Sequence, residues 1–170
     1  DVLDFPGEIK LITRPRRFGK TLNMSMLDHF FSLFRKGDFF EEFAIWNEKK
    51  IVKDHYHKYP VIFVSFKEVK EVDWEKGISK MKRVLANLAK EYREMAKDPV
   101  DRKYITSIAM KEGDEGDFSD LLRYLTGLLH KETGKKVILL VDEYDVPIEA
   151  AYAYRNNDPK YYDNMVAFMR

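Results

Sequence analysis

Gly19-Lys20-Thr21 stands between an arginine-rich segment and a stretch with helical apolar spacing, a setting suited to holding an anion. Where a loop turns into a helix, unpaired backbone N–H groups and the positive end of the helix dipole converge on one point. In the pattern GxxxxGK[ST], the later glycine lets the backbone approach phosphate, the lysine reaches the β- and γ-phosphates, and the hydroxyl takes a place on Mg²⁺. Gly19, Lys20 and Thr21 fill three of its four fixed positions, while Arg14 stands where the first glycine is expected. Arg14, Arg17, Phe18, Gly19, Lys20, Thr21 and Leu22 are therefore the candidate nucleotide-binding residues. Taken alone, the tripeptide could equally be a chance helix start, with Arg14, Arg16 and Arg17 merely solvating a loop.

A phosphate loop of this kind works with an aspartate at the tip of a neighbouring apolar strand, which holds Mg²⁺, and commonly with a glutamate that polarises the attacking water. Residues 137–141 are five aliphatic residues in a row, followed by Asp142-Glu143. Thr21 and Asp142 are thus the candidate metal-holding residues, and Lys20 and Glu143 the candidate catalytic ones. The plainer reading of Asp142, Glu143 and Asp145 is solvated charge closing a buried strand.

These residues need elements to position them. Residues 9–13 are apolar and β-branched, and Pro15 forbids strand or helix through the loop that follows. From Lys20, Leu22, Met26, Phe30 and Leu33 recur at steps of three or four, predicting a core-facing helix that Gly37 stops. Residues 61–66 and 137–141 are nearly continuous in apolar residues, as strands covered on both faces are. Between them Asp73 caps a long helix carrying Trp74, Ile78, Met81, Leu85, Leu88 and Tyr92 and ending before Pro99. A shorter helix follows Asp117 and stops at Gly134, and Asp158-Pro159 opens a last one. Strands alternating with helices imply an α/β fold with a parallel sheet, in which both the loop and the two acids lie at the carboxyl edge. The chain reads as one domain spanning 1–170, with both ends cut: no Met at position 1, and Arg170 inside an apolar helical pattern.

Three segments, residues 11–27, 59–66 and 141–148, closely resemble the AAA-ATPase-like family of bacterial proteins. In that family RPRRFGKT is the usual phosphate loop, so Arg14 is similar to a family substitution, and Asp145 and Pro147 match its DEYD-x-P signature. The resemblance implies a P-loop NTPase core of the additional-strand type, with Walker A and Walker B motifs, ATP and Mg²⁺ as cofactors, and an end after the acidic strand. It also implies a later strand with a polar sensor residue and a C-terminal PD-(D/E)XK nuclease-like domain, neither of them present here. A sheet lacking that strand is expected to be a weak or inactive ATPase, prone to self-association. A nucleotide-responsive interaction module is the competing expectation, and action on nucleic acid would rest on the missing region alone.

Composition excludes more than it selects. With 30 Lys+Arg against 29 Asp+Glu, bulk charge makes no case for nucleic acid, and no apolar run approaches the length of a membrane span. No cysteine is present, which removes disulfides and thiolate chemistry, and a cytoplasmic setting is expected. Arg16 and Arg17 could grip phosphate or pair with Asp142 or Asp145. His55 and His57 alternate as strand ligands do but lack partners at metal spacing, so ordinary surface histidines are expected. Phe30, Phe31, Phe39, Phe40 and Phe43 suit a core or a partner better than base stacking.

Overall fold

The computed structural model describes residues 10–12, 18–37 and 39–170. Strand β1 (Val61–Ser65) pairs in parallel with β2 (Ile138–Asp142), in a register that sets Val61 opposite Ile138 and Ser65 opposite Asp142. Parallel neighbours need a crossover, and here it contains α3 (Trp74–Tyr92), α4 (Pro99–Ala109) and α5 (Glu115–Thr133). Ahead of β1 lie α1 (Lys20–Phe31) and α2 (Lys49–His55); after β2 come α6 (Val146–Ala153) and α7 (Tyr161–Phe168).

Because side chains alternate across a strand, the two faces of the sheet meet different partners. Ile62 and Val64 enter the larger core with Met81 and Leu85 of α3, Leu121 and Leu125 of α5, and Met165 of α7. Val61 lies in the smaller core with Phe30 and Phe31 of α1 and Phe40, against which Ile138 and Leu140 of β2 also pack. Ser65 and Asp142 continue this second series, so the sheet face that meets α1 ends in a hydroxyl and a carboxylate.

Local chemistry explains the crossover helices. Asp73 accepts from Lys76 N–H and caps α3, as its position predicts. The cap of α5 is Asp114 rather than Asp117: Asp117 is the fourth residue of a capping box, in which each aspartate accepts the other's backbone N–H. Gly134 closes α5 at φ 66°, a left-handed geometry that costs glycine nothing. Asp158 does not cap the last helix, which starts later, at Tyr161: one carboxylate oxygen accepts from Lys160 N–H in the turn before it, and the other reaches across to the N–H of Trp74 at the start of α3.

Other sequence expectations shift in informative ways. Residues 10–12 form no strand, and Leu11 and Ile12 are exposed; residues 9 and 13 lie outside the described residues. An extended run becomes a strand only where a neighbour supplies its hydrogen bonds, and β1 and β2 bond to each other. Helix α1 ends at Phe31, well short of Gly37, because Ser32 turns extended and bridges to Tyr59. Its stripe is buried only at the C-terminal end: Phe30 and Phe31 are covered, whereas Leu22 is 66% exposed and Met26 37%. Among the described residues the sheet is two strands wide, and a sheet that narrow covers only part of a helix lying on it. For the same reason β2 is not covered on both faces, and Leu139 is 41% exposed. Helices α2, α4 and α6 are not legible in the apolar spacing, being short and flanked by charge.

Candidate functional site

The site begins at the turn into α1. Gly19 is its N-cap at φ 70°, ψ 22°, a left-handed conformation that disfavours any residue with a Cβ. Gly19 offers no side-chain cap, so the first-turn N–H groups of α1, which lack intrahelical acceptors, are available to an anion. Lys20 opens the helix and is half-buried; Phe18 and Leu22 are largely exposed on either side.

One residue on, the Thr21 hydroxyl donates to Asp142 Oδ2 at 2.8 Å, across 121 positions of sequence. Asp142 is 2% exposed, so this bond satisfies a carboxylate taken almost wholly out of water. The Ser65 hydroxyl approaches the same oxygen at 3.5 Å. Among the described residues, Thr21 and Ser65 are the side chains bonded to Asp142, and no cation pairs with it.

Glu143 follows at φ 54°, a left-handed conformation that a residue with a Cβ adopts at a cost of about 1 kcal/mol. The turn carries Tyr144 out to solvent and leads into α6, whose N-cap is Asp145, and whose first turn buries Val146 and Pro147. The DEYD-x-P run is thus a strand end, a strained turn and a proline-started helix in six residues. Arg14, Arg16 and Arg17 lie outside the described residues, and so does their suggested pairing with the acids.

The set of oxygens matches what Mg²⁺ takes. Mg²⁺ prefers hard oxygen ligands, is commonly held by one or two protein groups, and completes its shell with water and phosphate. A hydroxyl and a carboxylate in contact beside a helix N-terminus and a lysine fit that requirement. Among the described residues no three His, Asp or Glu side chains gather as an all-protein cage. His55 bonds Tyr59 Oη at 2.8 Å and His57 bonds the carbonyl of His29 at 3.1 Å. Both are half-buried among aromatic rings rather than plain surface histidines. Phe30, Phe31 and Phe40 are core, as expected, while Phe39 and Phe43 are exposed.

Ser65 was not evident as a site residue from sequence. The available signal was its place at the carboxyl end of an apolar strand, the edge where ligands of open α/β sheets bind.

These features define an α/β protein in which a glycine-capped helix start and a strand-end carboxylate converge. A family model described as a predicted AAA-ATPase matches residues 3–170, and the chain belongs to that AAA-ATPase-like family. No curated protein and no solved structure matches the chain. The family description points to nucleotide binding and an ATPase in general terms. Among the described residues no helix is long and apolar enough to cross a membrane.

Proposed function

We propose that the chain binds ATP with Mg²⁺ and hydrolyses it at the junction of α1 and β2, using Gly19-Lys20-Thr21 as Walker A and Asp142-Glu143 as Walker B. The observation that carries this reading is the 2.8 Å bond from Thr21 to the buried Asp142. It joins two motifs, far apart in sequence, in the relation that Mg²⁺-nucleotide binding needs. Bound Mg²⁺-ATP supplies the phosphoryl group and neutralises charge on its oxygens. The protein's part is positioning and electrostatics.

Lys20 places a positive charge at the mouth of α1 for the β- and γ-phosphates, where the first-turn N–H groups add their partial charge. Gly19 keeps that approach open, since an added Cβ would occupy the near space of the backbone. Thr21 and Asp142 hold the metal side. Glu143, on the strained turn beside Asp142, orients the attacking water and accepts its proton. Arg14 and Arg17, a few positions earlier in the sequence, complete the phosphate contacts in this reading, with Phe18 and Leu22 lining the approach.

The test is titration of a fluorescent ATP analogue into the protein with and without Mg²⁺, alongside phosphate release. Lys20→Ala is expected to lose at least tenfold in affinity. Glu143→Gln is expected to bind as wild type and to release phosphate at least a hundredfold more slowly, in line with loss of a general base. Equal binding by wild type and Lys20→Ala would overturn the site. Undiminished turnover in Glu143→Gln would leave a nucleotide-responsive module whose hydrolysis, if any, uses another group.

A further inference from the structure

We propose that Ser65, at the carboxyl end of β1, is a positioning residue that fixes the plane of the Asp142 carboxylate; the role rests on the phosphate-site reading above. Three independent features lead to it. The parallel register sets Ser65 directly opposite Asp142, and the pairing continues past them through a 3.0 Å bond from Phe66 N–H to the Asp142 carbonyl. The two backbones are therefore locked together at this point. Strand alternation then puts both side chains on the face that meets α1, below the N-terminus that would receive phosphate.

The second feature is convergence. The Thr21 and Ser65 hydroxyls both approach Asp142 Oδ2, at 2.8 Å and 3.5 Å, and neither engages Oδ1. A carboxylate tied at one oxygen by one donor still turns about its Cβ–Cγ bond, a broad torsion with low barriers. A second donor on the same oxygen, arriving from a different strand, restricts that rotation and leaves Oδ1 for the metal side.

The third is the orientation of the serine itself. Ser65 Oγ accepts from Lys67 N–H at 3.4 Å, in a turn that follows the strand. With that side of the oxygen taken by a donor, the hydroxyl proton is left to point towards Asp142. Lengths of 3.4 and 3.5 Å are those of weak bonds, which suits a group that biases a rotamer more than it stabilises the fold.

The consequence concerns metal more than nucleotide. Lys20 and the first-turn N–H groups of α1 form no hydrogen bond with Ser65, which touches that turn only through Asp142 and the Thr21 hydroxyl, so affinity for ATP without Mg²⁺ is expected to hold, whereas the gain in affinity on adding Mg²⁺ is reduced. We would titrate the fluorescent ATP analogue into the full 170-residue chain, with chelator and with Mg²⁺, for wild type, Ser65→Ala, Ser65→Thr and Ser65→Val. The Mg²⁺-dependent gain is expected to fall about threefold to tenfold in the Ala and Val variants, the effect of losing one weak bond to a charged group. The Thr variant is expected to keep it. Thr and Val have nearly the same shape, so their comparison decides the matter even if Ser65→Ala fails to fold by circular dichroism. A full Mg²⁺ gain in Ser65→Val, with Lys20→Ala still defective, overturns the role of Ser65 alone. Wild-type protein that binds no Mg²⁺-nucleotide overturns both this role and the site.

Discussion

Asp142→Asn is expected to make the nucleotide-free protein more stable while abolishing its response to Mg²⁺. Asp142 is 2% exposed and, among the described residues, its side-chain partners are two neutral hydroxyls. Burying a carboxylate costs several kcal/mol in a real protein. Against this, the 2.8 Å bond from Thr21 returns about 1.5–3 kcal/mol, and the 3.5 Å approach of Ser65 returns less. The balance leaves roughly 1–2 kcal/mol unrecovered in the absence of a bound cation. The amide is neutral, nearly isosteric and still accepts from Thr21, so it removes most of that cost. For a chain of 170 residues, about 1–2 kcal/mol corresponds to a rise in Tm of about 3–6 °C. The assay is thermal unfolding followed by circular dichroism, without ligand and then with saturating Mg²⁺-ATP. Ligand at a hundred times its Kd adds about 2.7 kcal/mol, hence about 5–10 °C, to wild type. Asp142→Asn is expected to gain less than half of that. A ligand-free Tm for Asp142→Asn several degrees below wild type would refute the reasoning, since it would mean that the carboxylate is held by a cation and is a net stabilising group.

Three further outcomes follow from other parts of the molecule. Glu143→Gly relieves the left-handed strain at φ 54° and is expected to raise stability by about 1 kcal/mol in chemical denaturation, with phosphate release lost and nucleotide binding retained. Gly77→Ala gains about 1 kcal/mol of helix propensity in α3 but drives a methyl to 2.8 Å from Tyr161 Oη, a fully buried side chain, so a net loss of about 1–2 kcal/mol is expected in the urea midpoint. Asp101 is held below the ordinary carboxylate range by its bond to Lys131 and then by that from Tyr124 Oη, at 2.9 and 2.5 Å. A depressed carboxylate stabilises above its unfolded-state pKa and loses that contribution as pH falls through the folded one. Asp101→Asn is therefore expected to cost at most about 1 kcal/mol at pH 7, the Lys131 end of the pair being open to solvent, and progressively less as the pH falls through the acid range, read from denaturant midpoints along that series.

The elements with strong local signals were legible in the chain. Asp73 and Gly134 bound α3 and α5 by chemistry that acts within four residues, and the two aliphatic runs could hardly be anything but strands. The same is true of Gly19-Lys20-Thr21 as a helix start and of Asp142 as a strand end, because each depends on its neighbours alone. Membership in the AAA-ATPase-like family was legible for that reason, being written in contiguous motifs.

Tertiary structure decided what lies beside what. No spacing rule says that Thr21 bonds Asp142, that Ser65 stands opposite that aspartate, or that Asp158 serves the start of α3 instead of its own helix. Register decides the second, since a slip of one residue would turn Ser65 to the other face. Burial is likewise collective: Leu22 and Leu139 carry the apolar signature of a core, yet both are exposed, because among the described residues the sheet has two strands and covers neither. Sequence determines the local preference of each segment, within a turn or two of helix. Which surfaces are covered, and which polar groups meet, depends on strands and helices more than a hundred residues apart closing on one another.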